Sequence, residues 1–523
     1  MDSDVVVIGS GPAGVSAAYE LLAAGRRVTL LEAGAEPHAA GGVGPIGDAH
    51  DGPSRSISSR NTSPKLRTTM AARMLSDYHA TYAIQTDDFE LMGSLAVGGL
   101  SNVWGAGVAE WTDEFDEWPE DARSTRDWYP RIADRMGVSG PKDDALTPHI
   151  SPTISPQVPV EVSAPCSGLL PRSHVAGEAA DFLMGGVRQA VITSDRDGRQ
   201  ACDLTGQCMT GCPREAIYSS RFDVRALMAE PKFLVRLGTI VTAAGQEGDR
   251  PFVDFVSVSG GRERVYCRRV FVAAGAPAST ALASQIVPTI GRAVTIQSTP
   301  VIAFALAPFR SIPHAHSGGY AQAQGAHLSW PGVPPLNQHE SLFGYFFNAG
   351  SLPLSELLDR LPSLVARIGS PMLRGVWARL VLVTAFLPGR LTENSIEFEP
   401  RGPASPPAIR VRGKLRSGSR EAMPAVQAFY RRRFARLGWL LIPGSFQQAP
   451  IGSDVHYGAS MPMSSEPRAA AALLATDTLG RLPVADRVHF VDGAVLPALP
   501  GKPHTFTVMA NAARIAAAVS ALD

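Results

Sequence analysis

Residues 4–34 read DVVVIGSGPAGVSAAYELLAAGRRVTLLEAG, and this stretch sets the fold class. Val5 to Ile8 form an unbroken apolar run, as expected of a strand buried on both faces of a parallel sheet. Gly9, Gly11 and Gly14 follow in G-x-G-x-x-G spacing. The first glycine permits the tight turn, the second lets backbone approach a pyrophosphate, and the third lets the helix pack close to the strand. The helix predicted from Val15 onward points its N-terminal amides and dipole at the phosphates. A second strand, RVTLLE, ends in Glu32, about 20 residues beyond the glycines, where a carboxylate grips a ribose 2′-hydroxyl. An acid there, rather than a base, argues against a 2′-phosphate. The motif does not separate NAD from FAD; its place at the start of so long a chain favours FAD.

The totals bound the rest. A chain of 523 residues, 45% hydrophobic and 18% charged, is globular and too long for one ordinary core. Lys+Arg and Asp+Glu are both 48, so charge offers no reason to expect nucleic acid or an anionic membrane. Five cysteines imply no disulfide framework. The opening residues lack the basic and apolar regions of a signal peptide, which points to the cytoplasm. The longest apolar run, LVLVTAFL at 380–387, is strand-sized, so no membrane span is expected.

Further motifs carry a family resemblance. GSLAVGGLSNVWGAG (93–107) resembles the segment that crosses the flavin in glucose–methanol–choline (GMC) oxidoreductases. The Trp-Pro helix and Val-Ser-Gly end of DEFDEWPEDARSTRDWYPRIADRMGVSG, and RVFVAAGAPASTALA (269–283), are similar to later landmarks of that family. The closing RVHFVDGAVLPALPGKPHTFTVMANAARIAAAV resembles its final strand, Asp-containing turn and helix. The likeness is strong at both ends and weak over about 300–450. It implies FAD held by Gly9, Gly11, Gly14, Glu32, Gly98, Gly99, Ser101, Asn102, Asp492, Gly493 and Thr507. Members that attach flavin covalently carry a histidine just after G-G-x-S. Here Asn102, Val103 and Trp104 stand in that place, so FAD is expected to be non-covalent.

The implied fold is α/β, α+β overall. A Rossmann-like FAD-binding domain (1–150, 200–300 and 475–523) carries a second, mostly antiparallel-sheet substrate domain (151–199 and 301–474). The runs VIAFALA, LVLVTAFL, SIEFEP and AIRVRG supply strands for a sheet that roofs the flavin. Residues 40–64 read as a long excursion, and the proline-rich tract at 144–170 as an extended surface linker. Residues 355–380 are amphipathic: an ordinary helix pair, or a lid, dimer contact or lipid-facing helix. Arg431, Arg432, Arg433 and Arg436 read as a solvated helical face, or an anionic-substrate site.

The resemblance also gives meaning to two isolated histidines. His456, in HYGAS with Asp454 its only charged neighbour in sequence, matches the family's first active-site histidine. His504 matches the second, His-or-Asn, position. A neutral imidazole is suited to take the hydroxyl proton of an alcohol whose hydride passes to the flavin. His456 is expected to be the base and His504 to hold the substrate oxygen.

The implied activity is oxidation of a small-molecule alcohol, with a sugar, aminocyclitol or other specialised-metabolite hydroxyl the first expectation. Oxygen, a quinone or a partner protein remain open as acceptor. The same scaffold could serve elimination, isomerisation or cyclisation, or a silent flavin-binding partner, although two retained histidines argue against silence. Cys202, Cys208 and Cys212, spaced C-x5-C-x3-C-P, are similar to a segment that ligates a three-iron cluster in certain family dehydrogenases. Their first gap differs and Thr205 stands where related loops carry another cysteine, so structural thiols and no metal are expected.

Overall fold

The computed structural model describes residues 4–34, 65, 69–170, 181–257, 260–289, 291–310, 319–337, 339–352, 375–467 and 474–522. Val5–Ile8 is fully buried, as its unbroken apolar run requires, and lies mid-sheet. It pairs in parallel with Val28–Leu31 on one side (Val5 opposite Val28) and with Arg269–Val272 on the other (Val5 opposite Arg269). Phe233–Arg236 and Ala485–Phe490 extend the parallel sheet, and Arg481–Leu482 closes one edge antiparallel. Burying each of these valines and leucines is worth about 1.5–3 kcal/mol.

The turn after Val5–Ile8 needs its glycines. Gly9 has φ +93, and a Cβ there would lie 2.5 Å from the Ala273 carbonyl oxygen. A Cβ on Gly14 would lie 1.9 Å from the Gly9 carbonyl oxygen, so only glycine lets the helix Pro12–Ala23 start this close to the strand. That helix packs along the closing helix Thr505–Ser520, whose Phe506, Met509, Ala512, Ala513 and Ile515 are buried.

The second layer is a seven-stranded sheet in the order Trp439–Leu441, Val301–Pro308, Val381–Phe386, Leu342–Asn348, Gly325–Ser329 and Phe182–Gly185, with Gln447–Gln448 also on Val301–Pro308. All its pairings are antiparallel. Alternation decides its faces. Ile302, Phe304 and Leu306, with Val381, Val383 and Ala385, join a core with Val426, Tyr430 and Phe434 of the helix Met423–Arg436. The intervening Val301, Ala303 and Ala305, and Leu382, Thr384 and Phe386, face a cavity between the layers. On the helix, Arg431, Arg432 and Arg436 are exposed and Arg433 pairs with Asp181, so these arginines lie across the sheet from that cavity.

Two sequence readings need revision. The tract at 144–170 is not a surface linker: Ile150, Cys166 and Leu169 are buried, and Gln157 accepts the Thr193 N–H at 2.9 Å. Its apolar residues seal cores that the proline content concealed. The strands Ser395–Glu399 and Ala408–Arg412, grouped by sequence with the substrate side, belong to a separate four-stranded sheet in which Ala408–Arg412 lies between Ser395–Glu399 and Gln85–Asp87, and they bury Ile396, Phe398, Ile409 and Val411 in the large core of the parallel sheet. The excursion at 40–64 and most of 355–380 lie outside the described residues. No helix among the described residues is long and apolar enough to cross a membrane.

The glycine contacts predict that Gly14→Ala costs about 1–3 kcal/mol of stability and so lowers the urea midpoint, because a methyl group must displace backbone. Gly11→Ala, whose Cβ meets nothing within 4 Å, leaves the apoprotein midpoint unchanged. Urea titration of the two apoproteins checks the contrast.

Candidate active site

A cavity of about 1020 Å³ runs from the glycine turn to the antiparallel sheet. Gly9, Gly11, Glu32, Gly99, Ser101, Asp492, Gly493, His456 and His504 all line it. At one end Glu32 accepts the Ser10 N–H on Oε2 and the Gly34 N–H on Oε1, each at 2.8 Å. Burial raises its pKa, and these amides oppose the rise. Each oxygen keeps a lone pair for a ligand hydroxyl. Cβ atoms on Gly11, Gly105 or Gly275 would meet no protein within 4 Å, so bare backbone faces the cavity at all three. Helix N-terminus, carboxylate and open glycine backbone together fit an FAD pyrophosphate and ribose.

Four residues assigned to the cofactor from sequence do not line the cavity. Gly14 is taken up by packing on Gly9. Gly98, at φ +90, donates its N–H to Ser10 Oγ at 2.8 Å. Asn102 donates to the Val97 and Gly99 carbonyls at 2.9 Å and accepts from Ser219. The Thr507 hydroxyl is buried 2.6 Å from Tyr129 Oη. These residues shape the site without facing it. Ser101, though at the cavity, spends its hydroxyl on the Gly98 carbonyl at 2.6 Å.

Backbone bonds bring the two histidines together. Ala459 and Met461 donate their N–H groups to the carbonyls of Gly493 (3.0 Å) and Ala494 (2.8 Å), so the His456 segment runs beside the Asp492 turn. Asp492 accepts from Gly275 N at 2.9 Å, Ser279 Oγ at 2.5 Å and Ala494 N at 3.0 Å, tying that turn to the helix Ala276–Ile286. His504 caps the closing helix. Its approach is anchored by Lys502, which donates to Glu114 Oε2 and the His149 carbonyl at 2.9 Å, and by Trp111 Nε1, 3.3 Å from the Pro503 carbonyl. The imidazole centroids of His456 and His504 are 5.0 Å apart and perpendicular, and Phe386 lies 5.1 Å from His456.

The network around His456 assigns its tautomer. Asp454 Oδ2 accepts from the backbone N–H groups of Thr299 (2.9 Å) and His456 (3.2 Å) and from Thr299 Oγ1 (3.1 Å). With its proton directed to Asp454, Thr299 Oγ1 accepts from His456 Nδ1–H at 2.8 Å. That leaves the lone pair on Nε2 of a side chain facing the cavity. Burial pushes Asp454 up to about 7, holds His456 well below the usual imidazole range and brings His504 down to about 4. The nearby His504 also depresses His456, so both rings are neutral at pH 7.

The comparisons follow the geometry. A family model described as FAD dependent oxidoreductase matches residues 4–158. The structure is similar to pyridoxine 4-oxidase from Mesorbium loti, with 15% identity, 98% of each chain covered and a TM-score of 0.57. It is also similar to a mutant formate oxidase from Aspergillus oryzae RIB40, with 14% identity, 99% of this chain and 98% of that one covered, and a TM-score of 0.61. The chain has the GMC oxidoreductase fold. No curated protein matches the sequence.

Within that fold, sequence reasoning missed Thr299, Trp111 and Lys502, which reach the histidine loops from distant parts of the chain. It also missed Lys65, buried with Nζ 2.6 Å from the Trp104 carbonyl and lowered to about 8 by burial. None of these four had a local signal; of the residues around His456 only Asp454, two positions before it, stood out in the sequence. Cys202 and Cys208 pack beside Met209 and Tyr320 and Cys212 packs against the large core; all three are free thiols, and burial raises Cys202 and Cys208. Among the described residues no group of three His, Cys, Asp or Glu side chains is arranged to hold a metal ion.

His504 titrates at about 4 folded against 6.5 for a free imidazole, so between those values the unfolded chain binds a proton that the folded one does not. The stability this neutral ring allows is present above 6.5 and lost as pH falls toward 4. Melting temperatures of the wild type should therefore drop faster than those of His504→Asn across this window, and run parallel above it.

Proposed function

We propose that the protein is an FAD-dependent oxidoreductase of the GMC type that oxidises a CH–OH group to a carbonyl, with His456 as base and His504 holding the substrate oxygen. The observation that carries this reading is the 5.0 Å pair of neutral imidazoles beside the Asp492–Gly493 turn, one with its lone pair presented to the cavity. The chemistry that bound FAD supplies is acceptance of a hydride from the carbinol carbon. Gly9, Gly11, Glu32 and the Gly493 turn would hold it; with no histidine at 102–104, attachment is non-covalent.

His456 Nε2 takes the hydroxyl proton as the carbon gives up its hydride, so the alcohol loses two electrons and two hydrogens. Thr299 keeps the other ring nitrogen protonated, and Asp454 orients Thr299. The imidazole N–H of His504 steadies the developing negative charge on oxygen. Phe386 lies against His456, with ring centroids 5.1 Å apart, and helps to hold the imidazole in place. Both structural neighbours are oxidases, which supports oxygen as the acceptor over a quinone or partner protein.

Anaerobic mixing of the flavoprotein with alcohols, followed at the flavin absorbance band, tests this reading. His456→Ala should retain FAD and slow bleaching ~10²–10⁴-fold. Thr299→Val, which cannot fix the tautomer, should slow it ~10-fold and change the pH profile, with Thr299→Ser restoring both. Wild-type bleaching rates in His456→Ala would remove the base assignment.

A further inference from the structure

The cavity-facing side of the antiparallel sheet forms a ladder that starts at the histidines. Its first rung is Val301 opposite Phe386, the ring that touches His456. The second is Ala303, Thr384 and Tyr345; the third is Ala305, Leu382 and Phe347. Two residues of strand advance about 6.6 Å, so the third rung lies about 13 Å from the first. Trp377, Leu380 and Ile442 also line the cavity. The alanines of two successive rungs leave space under the sheet where larger side chains would fill it.

This half of the cavity is poor in polar groups free to bind a ligand. Its carboxyl, Asp454, is committed to Thr299 and His456 on Oδ2, while Oδ1 is buried without a partner close to the histidines. Lys65 is engaged by Trp104, and the Gln322 amide, oriented with its nitrogen toward the Gly105 carbonyl, accepts from the same lysine at 2.6 Å. Ser445 and Ser453 donate to backbone carbonyls at 2.7 Å. Gln447 is exposed and Gln448 half-buried where they meet the cavity. Buried polar atoms without partners here include Thr384 Oγ1 and Trp377 Nε1. A sugar or cyclitol brings several hydroxyls, and each one buried without a partner costs about 1–3 kcal/mol.

Resting on the alcohol-oxidation reading above, we propose that the substrate is an uncharged, hydrocarbon-rich alcohol. Its chain or ring system runs from the histidines beneath Ala303 and Ala305, with any second oxygen placed for Thr384 or Trp377. This replaces the polyol expected from sequence. Recognition comes from apolar area, so affinity grows with each methylene until the third rung is passed.

The test uses the holoprotein, held anaerobic, with n-butanol, n-hexanol, n-octanol and benzyl alcohol set against glucose and myo-inositol. Binding is read from perturbation of the flavin spectrum, and reaction from bleaching. Affinity should rise about fourfold per methylene along the alkanols. Ala305→Phe should weaken n-octanol at least tenfold more than n-butanol. Tight binding or bleaching by the sugars, with none by the alkanols, would overturn the substrate class and leave alcohol oxidation standing. Alkanol binding with the expected increment but no bleaching would support the apolar site and place the failure in the redox reading. No response to either class, or equal loss for both alkanols in Ala305→Phe, would overturn the inference.

Discussion

The packing of the closing helix Thr505–Ser520 on the first helix Pro12–Ala23 is the contact on which the site depends. It joins the two ends of the chain and carries His504, the cap of the closing helix, to the cavity bordered by Gly9 and Gly11. Small side chains make the approach feasible: Ala13 and Ala17 on one helix, Ala512, Ala513 and Ala516 on the other, all buried. Larger residues there would separate the helices and move His504 away from the Asp492–Gly493 turn.

A second constraint acts from the antiparallel sheet. Thr299, just before Val301–Pro308, and Asp454, just after the edge strand Gln447–Gln448, meet over His456. The imidazole is thus held between layers, with its backbone following the Asp492–Gly493 turn and its Nδ1 bonded to Thr299, just before the antiparallel sheet. Burial keeps both histidines neutral, and their proximity penalises charging both together. A neutral imidazole with a fixed tautomer keeps one nitrogen lone pair free, and Asp454, pushed up to about 7, holds Thr299 without requiring a full buried charge.

The same sheet has two faces with different work. One packs Ile302, Val383 and Tyr430 into a core; the other leaves Ala303, Ala305 and Thr384 facing the cavity. A strand alternates strictly, so neither face can change register without exposing the other. Rigidity of the core face therefore fixes the shape of the cavity face.

Much of this protein was legible in its sequence because the relevant forces are local. Val5–Ile8, the glycine spacing and Glu32 act within about 30 residues of chain, where turn geometry, helix start and strand end follow from residue type. The strands 301–308 and 381–386 were legible for the same reason, as short apolar runs set between turn residues. His456 and His504 were legible through their motifs, but nothing in either stretch told which ring nitrogen carries the proton. Thr299 decides that, and it is an unremarkable threonine until the fold brings it 2.8 Å from His456. Likewise, Thr507 and Asn102 carry polar groups in cofactor-like motifs, yet their hydroxyl and amide are consumed by Tyr129 and by backbone carbonyls that only folding supplies. Sequence determined the nucleotide-binding frame and the chemical types available; the tertiary structure decided which of those groups keep free hydrogen-bonding capacity, because a polar atom's partners are set by packing across the chain.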